Sequence, residues 1–286
     1  MKQSAASKIF SVSNYSFLIA LSFVTLYPLW HVMSLSLSSK TEALSGGLFL
    51  WPRDFTWTAY ADILSADYIW NAYGNTIYIT FVGTFLNLLF TSSTAYALSK
   101  RTLPWLKVWI VMILFAMLFS GGMIPNYMVV KELGLLNTHM ALIIPNLISS
   151  FNVIIMLNFI RSIPEEVEES AMIDGANPIH IFFRIIIPLC KPVLATLALW
   201  VGVGLWNNFF QALIYLNDKE LTTLPLLLRN IIEGQQQFEE MGMLSDSSTE
   251  SVIAATIIIS IIPIIAVYPF LQRFFAKGIM LGSVKS

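Results

Sequence analysis

The sequence predicts an all-α integral membrane protein with six transmembrane helices. Three observations carry that prediction. Hydrophobic residues make up 56% of the 286-residue chain and charged residues only 12%, about half the charge of a soluble domain. The mean hydropathy is +0.72, more apolar surface than a water-facing fold covers. The apolar residues also gather into runs of about 20, the length that crosses ~30 Å of hydrocarbon.

The first run, 15–37, follows Lys2 and Lys8. It is too long for the core of a secretion signal, and no small-residue cleavage site follows it closely, so it reads as a retained span. Residues 38–73 form a polar segment rich in aromatics, among them Trp51, Trp57, Tyr60 and Trp70. Further spans are expected at 74–97, 108–130, 140–160, 188–216 and 251–273. The third contains Ser120-Gly-Gly-Met-Ile-Pro125, a step that should break or kink its helix. The fifth is long and interrupted. A loop at 217–250 carries seven acids against Lys219 and Arg229. If the N-terminus is inside, 11 of the 16 basic residues fall on inner segments, which orients the chain N-in/C-in by the positive-inside rule.

Composition also excludes. The net charge of −1 implies no attraction to nucleic acid. Cys190 is a lone cysteine and cannot make an internal disulfide. His31, His139 and His180 are scattered, with no metal-ligand spacing. The chain has no G-x-x-x-x-G-K-[ST] phosphate loop and no G-x-S-x-G nucleophile motif. Nothing in the residues points to an enzyme or to a cofactor bound by this chain.

The segment between spans four and five carries the most local information. Ser162-Ile-Pro-Glu165 fits a capping box, with Ser162 as N-cap and Pro164 in the first turn. Glu165, Glu166, Glu168 and Glu169 crowd the positive end of that helix dipole. Gly175 is expected to stop the helix in a left-handed conformation. Asn177 caps a second helix with Pro178 at its first position. Ile179, Phe182, Phe183 and Ile186 then repeat at i, i+3, i+4, i+7 and predict its apolar face. A plain interfacial hairpin and a protein-docking element both remain open on these signals.

Glu169-Ser170-Ala171, three residues, Gly175, nine residues, then Ile185-Ile186-Ile187-Pro188 resembles the EAA loop of ABC importer permeases. That pattern is E-A-A-x3-G-x9-I-x-L-P. Ser170 and Ile187 depart from it conservatively. Ile163–Ala176, Ser120–Pro125, Ala212–Leu216 and the tail Phe274–Lys285 resemble the carbohydrate branch of that family, which includes permeases for complex oligosaccharides and polysaccharides, alginate importers among them. The resemblance implies a type-1 ABC importer transmembrane domain in the bacterial inner membrane. It divides the chain into an N-terminal tail, first span and outer loop (1–70), a transmembrane core (71–273) and a cytoplasmic tail (274–286). It also implies a coupling helix at 164–176. Glu165, Glu166, Glu168, Glu169, Ser170, Ala171, Asp174, Gly175 and Ala176 would there face a cytoplasmic ATPase. Phe275, Lys277 and Lys285 of the tail would touch the same partner. The implied partners are a homologous second permease, two ATPase subunits holding ATP and Mg2+, an extracytoplasmic solute-binding protein, a carbohydrate and membrane lipid.

Polar residues inside apolar spans usually face a cavity or another helix. Trp206, Asn207, Asn208, Phe209 and Gln211 combine aromatic faces with amides, the mixture that sugars require, and Asn152 joins them as a candidate pathway residue. Helix-to-helix hydrogen bonding is the competing account. An ABC permease for a non-sugar solute is an alternative. A secondary transporter is a weaker one, because the spans carry no ionisable residue at mid-membrane and no repeat.

Overall fold

The computed structural model describes residues 5–234 and 247–283. Among the described residues the ordered backbone is helical, with one isolated antiparallel bridge, Ser38 to Phe55, and no strand. Three helices are long and apolar enough to cross a membrane unbroken, and three bent pairs complete six spans. The chain divides into two compact units, one of residues up to 69 with 228–262, the other of 70–227 with the chain from 263 onward.

The first unit opens with helix α1 (Ala5–Ser36). Its apolar window is only 6% buried, so lipid must be its main solvent. Short helices α2 (Lys40–Ser45) and α3 (Thr58–Leu64) follow. Side chains satisfy the backbone of this irregular segment. Ser38 Oγ donates to Ser34 O at 2.8 Å and accepts from Arg53 N at 3.0 Å. His31 Nδ1 accepts from Phe49 N at 3.2 Å, which gives that histidine a structural task. The loop aromatics pack edge-on against one another, Trp30 on Trp51 at 5.5 Å and Phe55 on Trp57 at 5.4 Å.

Helix α4 (Asp67–Ser99) begins at Asp67, seven residues before the expected start at 74. Asp67 sits in its first turn, where the dipole favours an acid. The expected break in the third span is present. Helix α5 (Leu106–Leu118) ends, Gly122 takes φ +84°, and α6 (Met123–Glu132) leaves at 115°. The fourth span bends by 49° between α7 (Met140–Ile143), extended by a 3-10 turn to Asn146, and α8 (Ser150–Arg161). After helix α9 (Glu165–Ile173), the chain runs through α10 (Pro178–Ile181), a π-helical turn at Phe182–Ile186 and α11 (Ile187–Leu189). It then bends by 80° into α12 (Lys191–Trp206). Asn207 and Asn208 separate α12 from α13 (Phe209–Tyr215), so the fifth span is interrupted twice. Helices α14 (Leu224–Glu233) and α15 (Thr249–Ser283) close the chain. Helix α15 continues ten residues past the expected end of the sixth span at 273. Lys285 lies outside the described residues, as do the side chains of Phe275 and Lys277.

Two packed clusters build the second unit. One gathers Tyr96, Leu98, Met156, Ile160, Ala171, Phe182 and Cys190 around the α8–α9 end. The other gathers Ile79, Leu142, Ile143, Tyr215 and Leu226. Between them α4 crosses α12 closely, and Gly83 permits the approach: a Cβ there would stand 2.7 Å from Leu205 Cδ1. Small residues at crossings are how membrane helices gain contact. Gly83→Val is expected to cost about 1–3 kcal/mol through overpacking, read as a lower melting temperature of the detergent-solubilised protein. Leu205→Ala in the same chain should recover part of the loss.

Candidate functional site: a helical elbow and an amide-lined recess

The loop between α8 and α12 is a rigid elbow. Its first helix does not start as the capping-box reading expects. Ser162 closes α8 instead, its Oγ donating to Phe159 O at 2.6 Å, and Pro164 is the N-cap of α9 without a side-chain cap bond. The serine hydroxyl serves the nearer orphan carbonyl, so it is not free to turn forward. The end of α9 follows expectation. Gly175 has φ +83°, its N–H donates to Met172 O at 3.0 Å, and Ala176 N–H donates to Ala171 O at 3.0 Å. That pair of bonds is a Schellman motif. Asn177 Oδ1 accepts from His180 N at 2.8 Å and Pro178 occupies the first helical position.

The expected apolar face of the second helix is shifted. Ile181, Phe182 and Ile186 are buried, whereas Ile179 is 71% and Phe183 53% exposed. Two of the four expected positions, Phe182 and Ile186, thus lie on the buried face, and Ile181 completes it in place of Ile179 and Phe183.

Helical register splits the four glutamates. Glu165 and Glu168 fall on the side of Lys100 and Arg101, which directly follow α4. Glu168 pairs with Lys100, and Arg101 Nη2 lies 3.2 Å from Glu165 Oε1. Lys100 Nζ also stands 4.2 Å from the centre of the Tyr96 ring, and Tyr96 packs on Phe182 at 5.2 Å. Burial holds the Lys100 ammonium below the ordinary lysine range, opposed by the Glu165 carboxylate. Arg161 donates to Leu98 O at 3.1 Å. A groove of about 580 Å³ runs along these residues. Glu169, exposed, lines the same groove. On the other side Glu166, Ser170, Ile173 and Asp174 are exposed, Ile173 by 86%. Ala171 is buried in the core, and Ala176 is half-buried. The Lys100–Arg101 doublet was available in the sequence, but nothing local joined it to an acidic helix 68 residues away.

A second concavity of about 420 Å³ is lined by Asn87, Asn146, Ser149, Phe151, Asn152, Trp200 and Asn208, among others. Phe151 and Trp200 stack at 6.0 Å on its wall. Of the candidate pathway residues, Asn152 and Asn208 reach this recess. Gln211 does not line it, but its Oε1 accepts from Asn146 Nδ2 at 2.8 Å and from Asn208 Nδ2 at 2.5 Å. Asn87 Nδ2 donates to Asn146 O at 2.7 Å, which extends the amide network. Trp206 is buried with its ring 6.2 Å from Tyr73, Asn207 caps α12 through Val203 O, and Phe209 stands apart from the recess. Asn87 and Asn146 are in-span amides of the kind expected to face a cavity or another helix, whereas Ser149, Phe151 and Trp200 are additions that the sequence reading did not place at a site.

Broken spans and a capped elbow between two of them suit a transport subunit of the permease class, and the comparisons with known proteins place the chain there. The chain belongs to the binding-protein-dependent transport system inner membrane component family, whose model matches residues 91–281. Protein LplC of Bacillus subtilis (strain 168) is 42% identical, with 100% of this chain and 98% of the relative aligned. The polygalacturonan/rhamnogalacturonan transport system permease protein YtcP of the same organism is 40% identical over 98% of this chain and 99% of its own. Among solved structures, a chain of a bacterial ABC transporter involved in the import of the acidic polysaccharide alginate superposes with a TM-score of 0.91. It is 35% identical, with 96% of this chain and 99% of that one covered.

Gly175 is the conformational hinge point of the elbow. A Cβ there meets no atom within 4 Å, so a substitution is strained by backbone alone. Gly175→Val is expected to cost roughly 1–2 kcal/mol, visible as faster amide hydrogen exchange across residues 165–181, with Gly175→Asn closer to the parent.

Proposed function

We propose that this permease forms half of the translocation pathway of a bacterial ATP-driven importer for an oligosaccharide or polysaccharide, with alginate-like and pectin-like polymers as the leading substrate class. The relatives' printed substrates support the class: a polygalacturonan/rhamnogalacturonan permease and an alginate importer. The second half of the pathway is a homologous permease. Two cytoplasmic ATPases supply ATP hydrolysis with Mg2+, and an extracytoplasmic binding protein delivers the sugar to the loops at 38–73 and 217–250. The chain lies N-in/C-in, which puts the elbow and the C-terminal tail in the cytoplasm.

The observation that carries the coupling role is the outward side of α9. A Schellman turn and a buried Ala171 fix that helix, and its free side offers acids beside an exposed Ile173. A large apolar side chain ringed by charge is the usual anchor of a protein contact. Glu166, Glu169, Ser170, Ile173 and Asp174 seat in the ATPase, and Phe275, Lys277 and Lys285 of the tail add contacts. Because a ligand shifts an equilibrium only by its differential affinity for two states, rigid seating is what carries ATP's preference to the spans. Glu169→Lys and Ile173→Asp are expected to reach the membrane while losing ATPase co-purification and sugar import; normal values for both variants would reduce the elbow to a connector.

The recess supplies a sugar contact. Stacked Phe151 and Trp200 cover apolar CH faces, and Asn87, Asn152 and Asn208 meet hydroxyls. Trp200→Ala and Asn152→Ala should raise the sugar concentration for half-maximal transport in reconstituted vesicles by about tenfold each, with ATPase association unchanged.

A further inference from the structure

We propose that Lys100 is the positioning residue of the elbow, clamping α9 to the end of α4, beside the tyrosine on which the second arm packs, so that ATPase movement reaches the second span. The proposal rests on the reading of α9 as the ATPase contact. Its observation is different: Lys100 pairs with one arm and lies against the tyrosine of α4 on which the other arm packs. Its ammonium pairs with Glu168 on α9. The same ammonium lies over Tyr96, 4.2 Å from the ring centre, and Tyr96 packs on Phe182 of the second arm. The cation thereby ties α9 to the end of α4 directly, and meets the π turn only through Tyr96.

Burial separates this pair from its neighbour. Arg101 and Glu165 are 87% and 70% exposed, and such surface pairs contribute little. Lys100 and Glu168 are 30% and 16% exposed, so water screens them less, and the ring quadrupole adds a second attraction. Glu168 is mostly covered within its own chain. It is therefore a clamp residue rather than a docking residue, although it sits in the same acidic run as Glu166 and Glu169. A buried ion pair is weak evidence for stability, so the clamp concerns geometry. A lever requires geometry: if α9 can swing independently of α4, ATPase closure is dissipated in the elbow.

The test uses the complete importer in reconstituted vesicles, with ATPase co-purification, ATP hydrolysis and sugar import read together. Lys100→Met and Glu168→Gln are expected to keep the ATPase bound but to raise ATP hydrolysed per sugar imported at least about fivefold, the low end of measured site-to-site couplings. Lys100→Arg, which retains the cation, should stay near the parent ratio. The exchanged pair, Lys100→Glu with Glu168→Lys, should recover most of the loss even if one single variant inserts poorly. A parent-like ratio in both Lys100→Met and Glu168→Gln overturns the clamp. Loss of ATPase co-purification in Glu168→Gln, unrestored by the exchange, also overturns it and makes Glu168 a docking residue. Glu169→Lys, run in parallel, separates the two failures: if it too leaves association and import intact, the coupling reading itself has failed.

Discussion

Hydrocarbon offers no hydrogen bonds, so every interruption of a spanning helix must satisfy its own backbone. That constraint organises this chain, because three of its spans are broken. Each break carries its own partners. Ser120 Oγ accepts from Gly122 N at 3.2 Å, Asn146 Nδ2 donates to Leu142 O at 2.8 Å, and Asn207 Nδ2 donates to Val203 O at 2.9 Å. Asn208 Oδ1 then accepts from Gln211 N at 3.2 Å to restart the helix. The polar residues that interrupt the apolar runs are first of all the materials of these joints.

The same amides serve a second purpose. Asn146 and Asn208 both cap backbone and line the recess, while Gln211 holds them together from behind. A binding surface made from helix ends is stiff, since moving one amide breaks a cap as well as a contact. The competing accounts of the in-span amides are thus not exclusive. Asn87, Asn146 and Gln211 join helices, and four of the in-span amides, Asn87, Asn146, Asn152 and Asn208, also face the open concavity.

What was legible in the sequence follows the range of the forces involved. The Gly175 stop and the Asn177-Pro178 start depend on bonds within five residues, and the break at 120–125 on glycines in place; all were readable. Ser162 was misread because its hydroxyl had two local backbone partners to choose between, and the pattern named the wrong one. The buried face of the second helix was legible in part: Phe182 and Ile186 are buried as expected, but Ile181 rather than Ile179 completes the face. The division of the glutamates needed Lys100, which tertiary folding alone brings to Glu168. Trp206 looked like a sugar platform by composition, yet Tyr73 covers it.

The π turn at Phe182–Ile186 has a consequence for the length of the elbow. A turn of this kind arises when an α-helix takes in one extra residue without changing its ends. The surplus sits between Asn177, fixed by its cap, and Cys190, buried in the core. Removing one residue here would let the stretch relax to an ordinary α-helix while both anchors stay in place. It would also shorten the nine-residue spacing from Gly175 to Ile185 that the permease loop pattern specifies. The surplus residue is therefore part of the set length of the elbow, as the Gly175–Pro178 joint is.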